Sequence, residues 1–261
     1  MIVAEQKSLE EIKSMLEGSK KVLAVGCGTC VTVCFSGGRQ EVGVLSASLR
    51  MSTDLDGHPI EVDETMVQRQ CEKEFVAQLG ENAAEYDAIL SLGCGIGVQS
   101  IAQAFPNSKV IPALDTTFMG YPSEQGVWEE RCQGCGNCVL HLTGGICPVS
   151  RCAKQLFNGP CGGSQAGICE VDPGTECAWH TITQKQLGQG NLAALMEIQP
   201  AKDWSRARDG GHRRIVREDI RKPQPGTDKV EENSSRTGRC PNTACPKTRV
   251  DFHRRNAAKA R

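Results

Sequence analysis

Aromatic residues are scarce in this sequence: 3 Trp, 2 Tyr and 6 Phe in 261 residues. So thin a set provides no stacking platform for single-stranded nucleic acid. Net charge is nearly absent as well. Thirty Lys and Arg against 31 Asp and Glu leave -1, which by itself implies no polyanionic partner. The opening MIVAEQKSLEEIK has neither an apolar stretch nor a small-residue cleavage site, so no secretory signal is predicted. No apolar run is long enough to span a membrane. A cytoplasmic protein is expected. In that setting clustered cysteines point to metal sites, and a disulfide-stapled secreted domain is set aside.

Cysteine is what the sequence has in excess, with 15 residues. Eight fall in one stretch, at Cys132, Cys135, Cys138, Cys147, Cys152, Cys161, Cys169 and Cys177. The opening C-x-x-C-x-x-C puts three thiols within a few residues, and Cys147 is followed by Pro148. Three close thiolates with a fourth from further along form the loop that grips a cubane iron–sulfur cluster. A [4Fe–4S] site is therefore expected at Cys132, Cys135 and Cys138. The wider gaps around Cys147, Cys152, Cys161, Cys169 and Cys177 suit either iron or zinc. Eight thiols suffice for two four-ligand sites, so His180 is not expected to ligate, and Trp179 is expected to pack in a core. Arg131, Arg151 and Lys154 flank the cysteines and are placed either to tune a cluster or to solvate the surface.

The first half carries a different pattern. Ser8 to Gly18 predicts an amphipathic helix, with Leu9, Ile12, Met15 and Leu16 on one face. Lys21–Gly26, Asp87–Leu92 and Lys109–Leu114 are predicted buried strands, and Glu41–Leu45 a weaker one. Val31–Phe35, Glu64–Leu79 and Val98–Phe105 are predicted helical, with Cys71 as a small core residue inside the second. Alternating strands and helices predict a small parallel α/β sheet. Two of its strands end in glycine-cysteine turns, GCGTC and GCGIG. Ligands of open α/β sheets bind at such strand ends, so Cys27, Cys30, Cys34 and Cys94 are expected to converge on a cluster or a zinc ion. Ordinary buried thiols are the alternative there. Neither turn completes G-x-G-x-x-G, and no acidic residue stands where a ribose would need it, which argues against a dinucleotide.

Asp115–Trp128, rich in Gly, Pro and Ser, is predicted to be a linker, and Lys185–Ile198 the last helix. Residues 201–261 hold 17 Lys and Arg against 8 Asp and Glu, with few apolar residues. A basic, largely disordered tail is expected there, with Cys240 and Cys245 as free thiols. The expected domains are 1–120 (α/β with cysteine-bearing turns), 121–200 (a loop-rich cysteine module holding iron–sulfur or zinc) and 201–261 (the tail).

The ordered set CGTCVTVC, GCGIGVQ, ERCQGCGNCVL, GGICPVSRCAK, NGPCGG, CEV and CAW, with DWSRARDGG near Asp203, resembles the methylenetetrahydrofolate reductase C-terminal domain family, the MetV-like proteins. The resemblance covers about residues 20–210. It implies an iron–sulfur accessory subunit carrying one to three [4Fe–4S] clusters, and zinc as an alternative. It also implies a MetF-type flavoprotein partner, which holds FMN or FAD and the folate, and a low-potential electron carrier or further redox subunits. Electron transfer in one-carbon metabolism is the implied role. The rival role is a structural zinc scaffold for the flavoprotein. Nothing in the chain resembles the catalytic barrel of that flavoprotein, so it is not expected to act as an enzyme alone.

Overall fold

The structure, a computed structural model, describes residues 1–208, 212–217 and 219–221. Cys240, Cys245 and most of the basic tail lie outside the described residues.

Ser8 accepts from the Glu11 amide (3.2 Å) and caps helix α1, Leu9–Met15. Strand β2, Lys21–Cys27, follows, then β3, Glu61–Val67, β4, Ala88–Leu92, and β5, Val110–Pro112. These four form an all-parallel sheet in the order β3-β2-β4-β5. The central strands read as near-continuous apolar runs because both faces are covered. On one face Val22, Ala24, Leu90 and Leu92 pack with Ile12 and Leu16 of α1 and with Val42, Leu45 and Leu49 of α3, Arg39–Leu55. On the other, Leu23, Val25 and Ile89 pack with Val76 of the short α4, Lys73–Val76, and Ile101 of α5, Gly95–Ala104.

The expected strand at Glu41–Leu45 is helix α3. Over five residues the alternation of EVGVL imitates a strand, but the buried positions Val42, Leu45, Ser46, Leu49 and Thr53 follow the helical period. The expected helix at Glu64–Leu79 divides instead. Its first residues finish β3, Gln68–Glu72 form a loop, and only Lys73–Leu79 is helical, α4 running into a 3-10 turn. Cys71 is therefore exposed and lies in that loop, not in a helical core.

A second, antiparallel sheet joins β1, Ile2–Gln6, to β6, Leu114–Glu124, and β7, Val127–Cys132. The predicted linker is thus the hairpin β6–β7, and its sequence misleads for a physical reason. Pro122 sits at a register irregularity, where a missing N–H is tolerated. A Cβ on Gly120 would lie 2.0 Å from the Glu129 carbonyl, so close strand approach needs glycine there. Ala113 links the two sheets: its N–H donates to Ser91 of β4 (2.9 Å) and its carbonyl accepts from Lys7 beyond β1 (2.9 Å).

Helix α6, Pro148–Arg151, packs against β7. Helix α7 covers Ala178–Gly188, earlier than the predicted Lys185–Ile198, because Ala178, Trp179, Ile182 and Gln186 are its buried face. Residues 192–196 form only a 3-10 turn. Met1–Arg213 make one compact unit. Among the described residues no helix is long and apolar enough to cross a membrane.

Candidate metal centre

The thirteen described cysteines are all unpaired thiols. They occur in three places.

The first is the loop after β7. Cys132 closes that strand, and Gly134 and Gly136 both take positive φ (63° and 79°), which turns the chain sharply between the thiols. The Gly134 N–H donates to the Cys132 sulfur at 3.3 Å. Cys147 begins α6, with Pro148 at its first position, and so stands at the element that packs on β7. The loop is clamped by residues that composition alone assigns to the tail. Lys202, 8% exposed, donates to the Asn137 carbonyl. Arg213 donates to the Gly134 carbonyl, and a Cβ on Gly136 would lie 2.6 Å from the Arg206 carbonyl. The DWSR segment is capped by Asp203, whose carboxylate accepts from the Ser205 amide at 2.9 Å. Hydrogen bonds from the Ser205 hydroxyl and amide hold the Asp203 carboxyl below its ordinary range.

The second place is a small cavity of about 20 Å³ whose walls include Cys152, Cys161, Cys169 and Cys177. Irregular chain builds it. Ile168 bridges to both Gln165 and Glu176, and the Cys169 and Cys177 amides donate to Thr175 (2.9 Å) and Gly167 (2.8 Å). Cys177 stands at the N-cap of α7. The Gly163 N–H donates to the Cys161 sulfur at 3.5 Å. Lys154 and Glu170 pair across the rim. The Glu170 carboxylate raises the Lys154 ammonium pKa, with the Cys161 and Cys169 sulfurs adding to it. Glu170 is in turn lowered by Lys154 and by a hydrogen bond with Cys161. Arg151 pairs with Glu176 at 3.3 Å and Arg131 with Glu129, so each flanking cation has a carboxylate partner. His180 lies against Gly167, outside this cavity. Trp179 is 4% exposed and donates to the Leu156 carbonyl (3.0 Å), a core residue as expected.

The third place is the C-terminal edge of the parallel sheet. Cys27 ends β2, Cys30 opens the short α2, Cys30–Val33, and Cys94 is the N-cap of α5. Cys27, Cys34 and Cys94 share one apolar cluster under the antiparallel sheet. The Cys34 sulfur is turned inward, 3.2 Å from the Ser36 hydroxyl and 3.6 Å from the Ala4 carbonyl. Cys71 stands beside Cys94 and Cys27. Burial pushes its thiol pKa up, and those two sulfurs push it further. Sequence reasoning misses Cys71 because it places the residue inside a helix.

The glycines of GCGIG also have a structural role here. Gln70, 1% exposed, donates to the Val25 carbonyl (2.8 Å) and accepts from the Ser91 hydroxyl (2.6 Å). A Cβ on Gly93 would lie 2.1 Å from its Oε1, and one on Gly97 2.7 Å from its Cβ. Those glycines make room for a glutamine, not for a phosphate.

The donor chemistry fits a thiolate-held metal or cluster, since sulfurs in glycine-rich loops receive amide hydrogen bonds that stabilise negative charge. Among the described residues no three Cys, His, Asp or Glu side chains are gathered to ligating reach of one ion. The thiols are grouped by loop and cavity, not drawn together. No curated protein and no solved structure matches the chain. Residues 111–205, which hold the β6–β7 hairpin, all eight module cysteines and the start of the DWSR clamp, match the family model described as methylene-tetrahydrofolate reductase C terminal.

Proposed function

We propose that this chain is a cysteine-ligated accessory subunit of a methylenetetrahydrofolate reductase, with the module of residues 121–200 as its metal-bearing part. The family match over residues 111–205 carries the link to the reductase. The thiol grouping supports a division of the eight cysteines: Cys132, Cys135, Cys138 and Cys147 for one group, Cys152, Cys161, Cys169 and Cys177 for the other. A [4Fe–4S] cluster at the first would supply one-electron transfer beside a flavin that accepts electrons singly or as hydride. The chain's own residues hold the site. Gly134 and Gly136 turn the loop, Lys202 and Arg213 pin its carbonyls, and the Gly134 amide donates to the Cys132 sulfur. The partner of this reading is a MetF-type flavoprotein that carries the flavin and the folate.

A zinc scaffold is the second reading, and one observation favours it for the second group. The cavity among Cys152, Cys161, Cys169 and Cys177 measures about 20 Å³, room for one ion-sized occupant.

The experiment reconstitutes the flavoprotein with wild-type chain and with a Cys135→Ser chain that still binds it. Viologen-driven reduction of methylenetetrahydrofolate is expected to collapse in the second complex. A preserved rate with the iron lost would eliminate electron transfer at this loop and leave the scaffold reading.

A further inference from the structure

Periodicity gives Cys71 no part in a site, yet the fold brings it to the C-terminal sheet edge that also carries Cys27, Cys30 and Cys94. The strand order β3-β2-β4 places the ends of three adjacent parallel strands side by side. Cys27 faces Val67 in the β2–β3 register, and Gly26 faces Leu92 in the β2–β4 register. Cys71 and Cys94 therefore leave the sheet on the two sides of Cys27, four residues past β3 and two past β4. The Gly28 N–H donates to the Val67 carbonyl (3.0 Å) and ties the Cys27–Cys30 turn to the β3 end.

Gln70 fixes the remaining freedom. Its side chain reaches across the sheet end to β2 at Val25 and to β4 at Ser91. It fills the space left by Gly93 and Gly97 on both sides of Cys94. A residue so anchored holds its neighbour Cys71 against the start of α5. The Cys34 sulfur, by contrast, is engaged in the core with Ser36 and Ala4. Cys71 is itself exposed and lines an open groove of about 810 Å³ with Lys73, Ala77 and Ser100.

We propose that Cys71 completes a strand-end site for a soft divalent cation together with Cys27, Cys30 and Cys94, and that Cys34 is a structural thiol of the core. Each sulfur can turn about its χ1, and the cation would draw together thiols that do not converge on one point in this structure. The set is thiolate-only, which suits zinc. In sequence it lies outside residues 111–205, the segment that matches the reductase family.

The test uses the full chain, reduced and stripped of metal, then titrated with zinc. Alkylation of each cysteine by iodoacetamide is followed by mass spectrometry, with fragment ions separating Cys27, Cys30 and Cys34. Cys27, Cys30, Cys71 and Cys94 are expected to become protected together at one zinc concentration, while labelling of Cys34 does not follow zinc. In Cys71→Ser, protection of the other three should need at least about tenfold more zinc. Cys34→Ser should leave the midpoint unchanged. Since Cys71 is exposed, its substitution leaves the far-ultraviolet circular dichroism as in wild type. Cys71 labelled at saturating zinc, or unchanged protection of Cys27 and Cys94 in Cys71→Ser, overturns the proposal. The module cysteines are read on separate peptides, so zinc bound there does not affect the outcome.

Discussion

Gln70 shows how one side chain can decide the chemistry of its surroundings. Buried among backbone and glycine, it satisfies the Val25 carbonyl and the Ser91 hydroxyl and excludes any Cβ at Gly93. Gly93→Ala should therefore destabilise the fold by ~1–3 kcal/mol through overpacking. The same change in a Gln70→Ala background should cost far less, because its clash is with the glutamine amide. Denaturant unfolding of the double-mutant cycle measures this, and a coupling above about 1 kcal/mol is expected. Additive effects would mean that the two residues do not share that space. The glycines are visible in the sequence, but their reason is not. GCGIG suggests a ligand loop until the glutamine from a distant loop is in place.

At the scale of elements, the strand edge at the start of β2 depends on Asp87. Its carboxylate accepts from the Lys20 amide (2.7 Å) and the Lys21 amide (2.9 Å), tying the β2 start to the residue before β4. The Lys21 and Lys20 amides hold its carboxyl below the ordinary aspartate range. A depressed folded pKa contributes stability that is fully present above the unfolded value, and is lost as pH falls through the folded one. The stability gap between wild type and Asp87→Ala should then be full at neutral pH and narrow below about pH 4. Thermal unfolding at neutral pH and at two acidic pH values either side of that point checks this, and a gap that widens in acid contradicts it.

Elements with a long, unbroken pattern are legible in the sequence: α1, β2, β4 and α5 lie close to where periodicity puts them. Those that fail do so at short windows. EVGVL alternates over five residues inside a seventeen-residue helix. The hairpin β6–β7 contains Gly120 and Pro122, which composition takes for a linker, and its pairing with β1 joins residues more than a hundred apart. Of the candidate sites, spacing alone exposes the thiol loop at Cys132–Cys138. The clamp by Lys202 and Arg213 and the placement of Cys71 depend on tertiary contacts, which periodicity does not carry.

At the scale of the whole molecule, two sheets carry thiols at different places. The parallel sheet presents them at its C-terminal edge, and the antiparallel sheet delivers Cys132 into a glycine-rich loop at the end of β7. The segment that matches the reductase family begins at β5, so the antiparallel hairpin and the cysteine module travel together in it. A cysteine module this poor in regular structure has one small apolar cluster of its own, Ile146, Cys177, Trp179 and Ile182. The metal proposed for it would then contribute to its folding.

The most direct test of the central claim is the iron content of anaerobically purified chain, wild type beside Cys135→Ser, taken with the visible spectrum. The account predicts broad absorption near 400 nm in the wild type and a loss of about four iron atoms per chain in the variant. A colourless wild type, or iron unchanged by Cys135→Ser, contradicts a cluster at the Cys132–Cys138 loop.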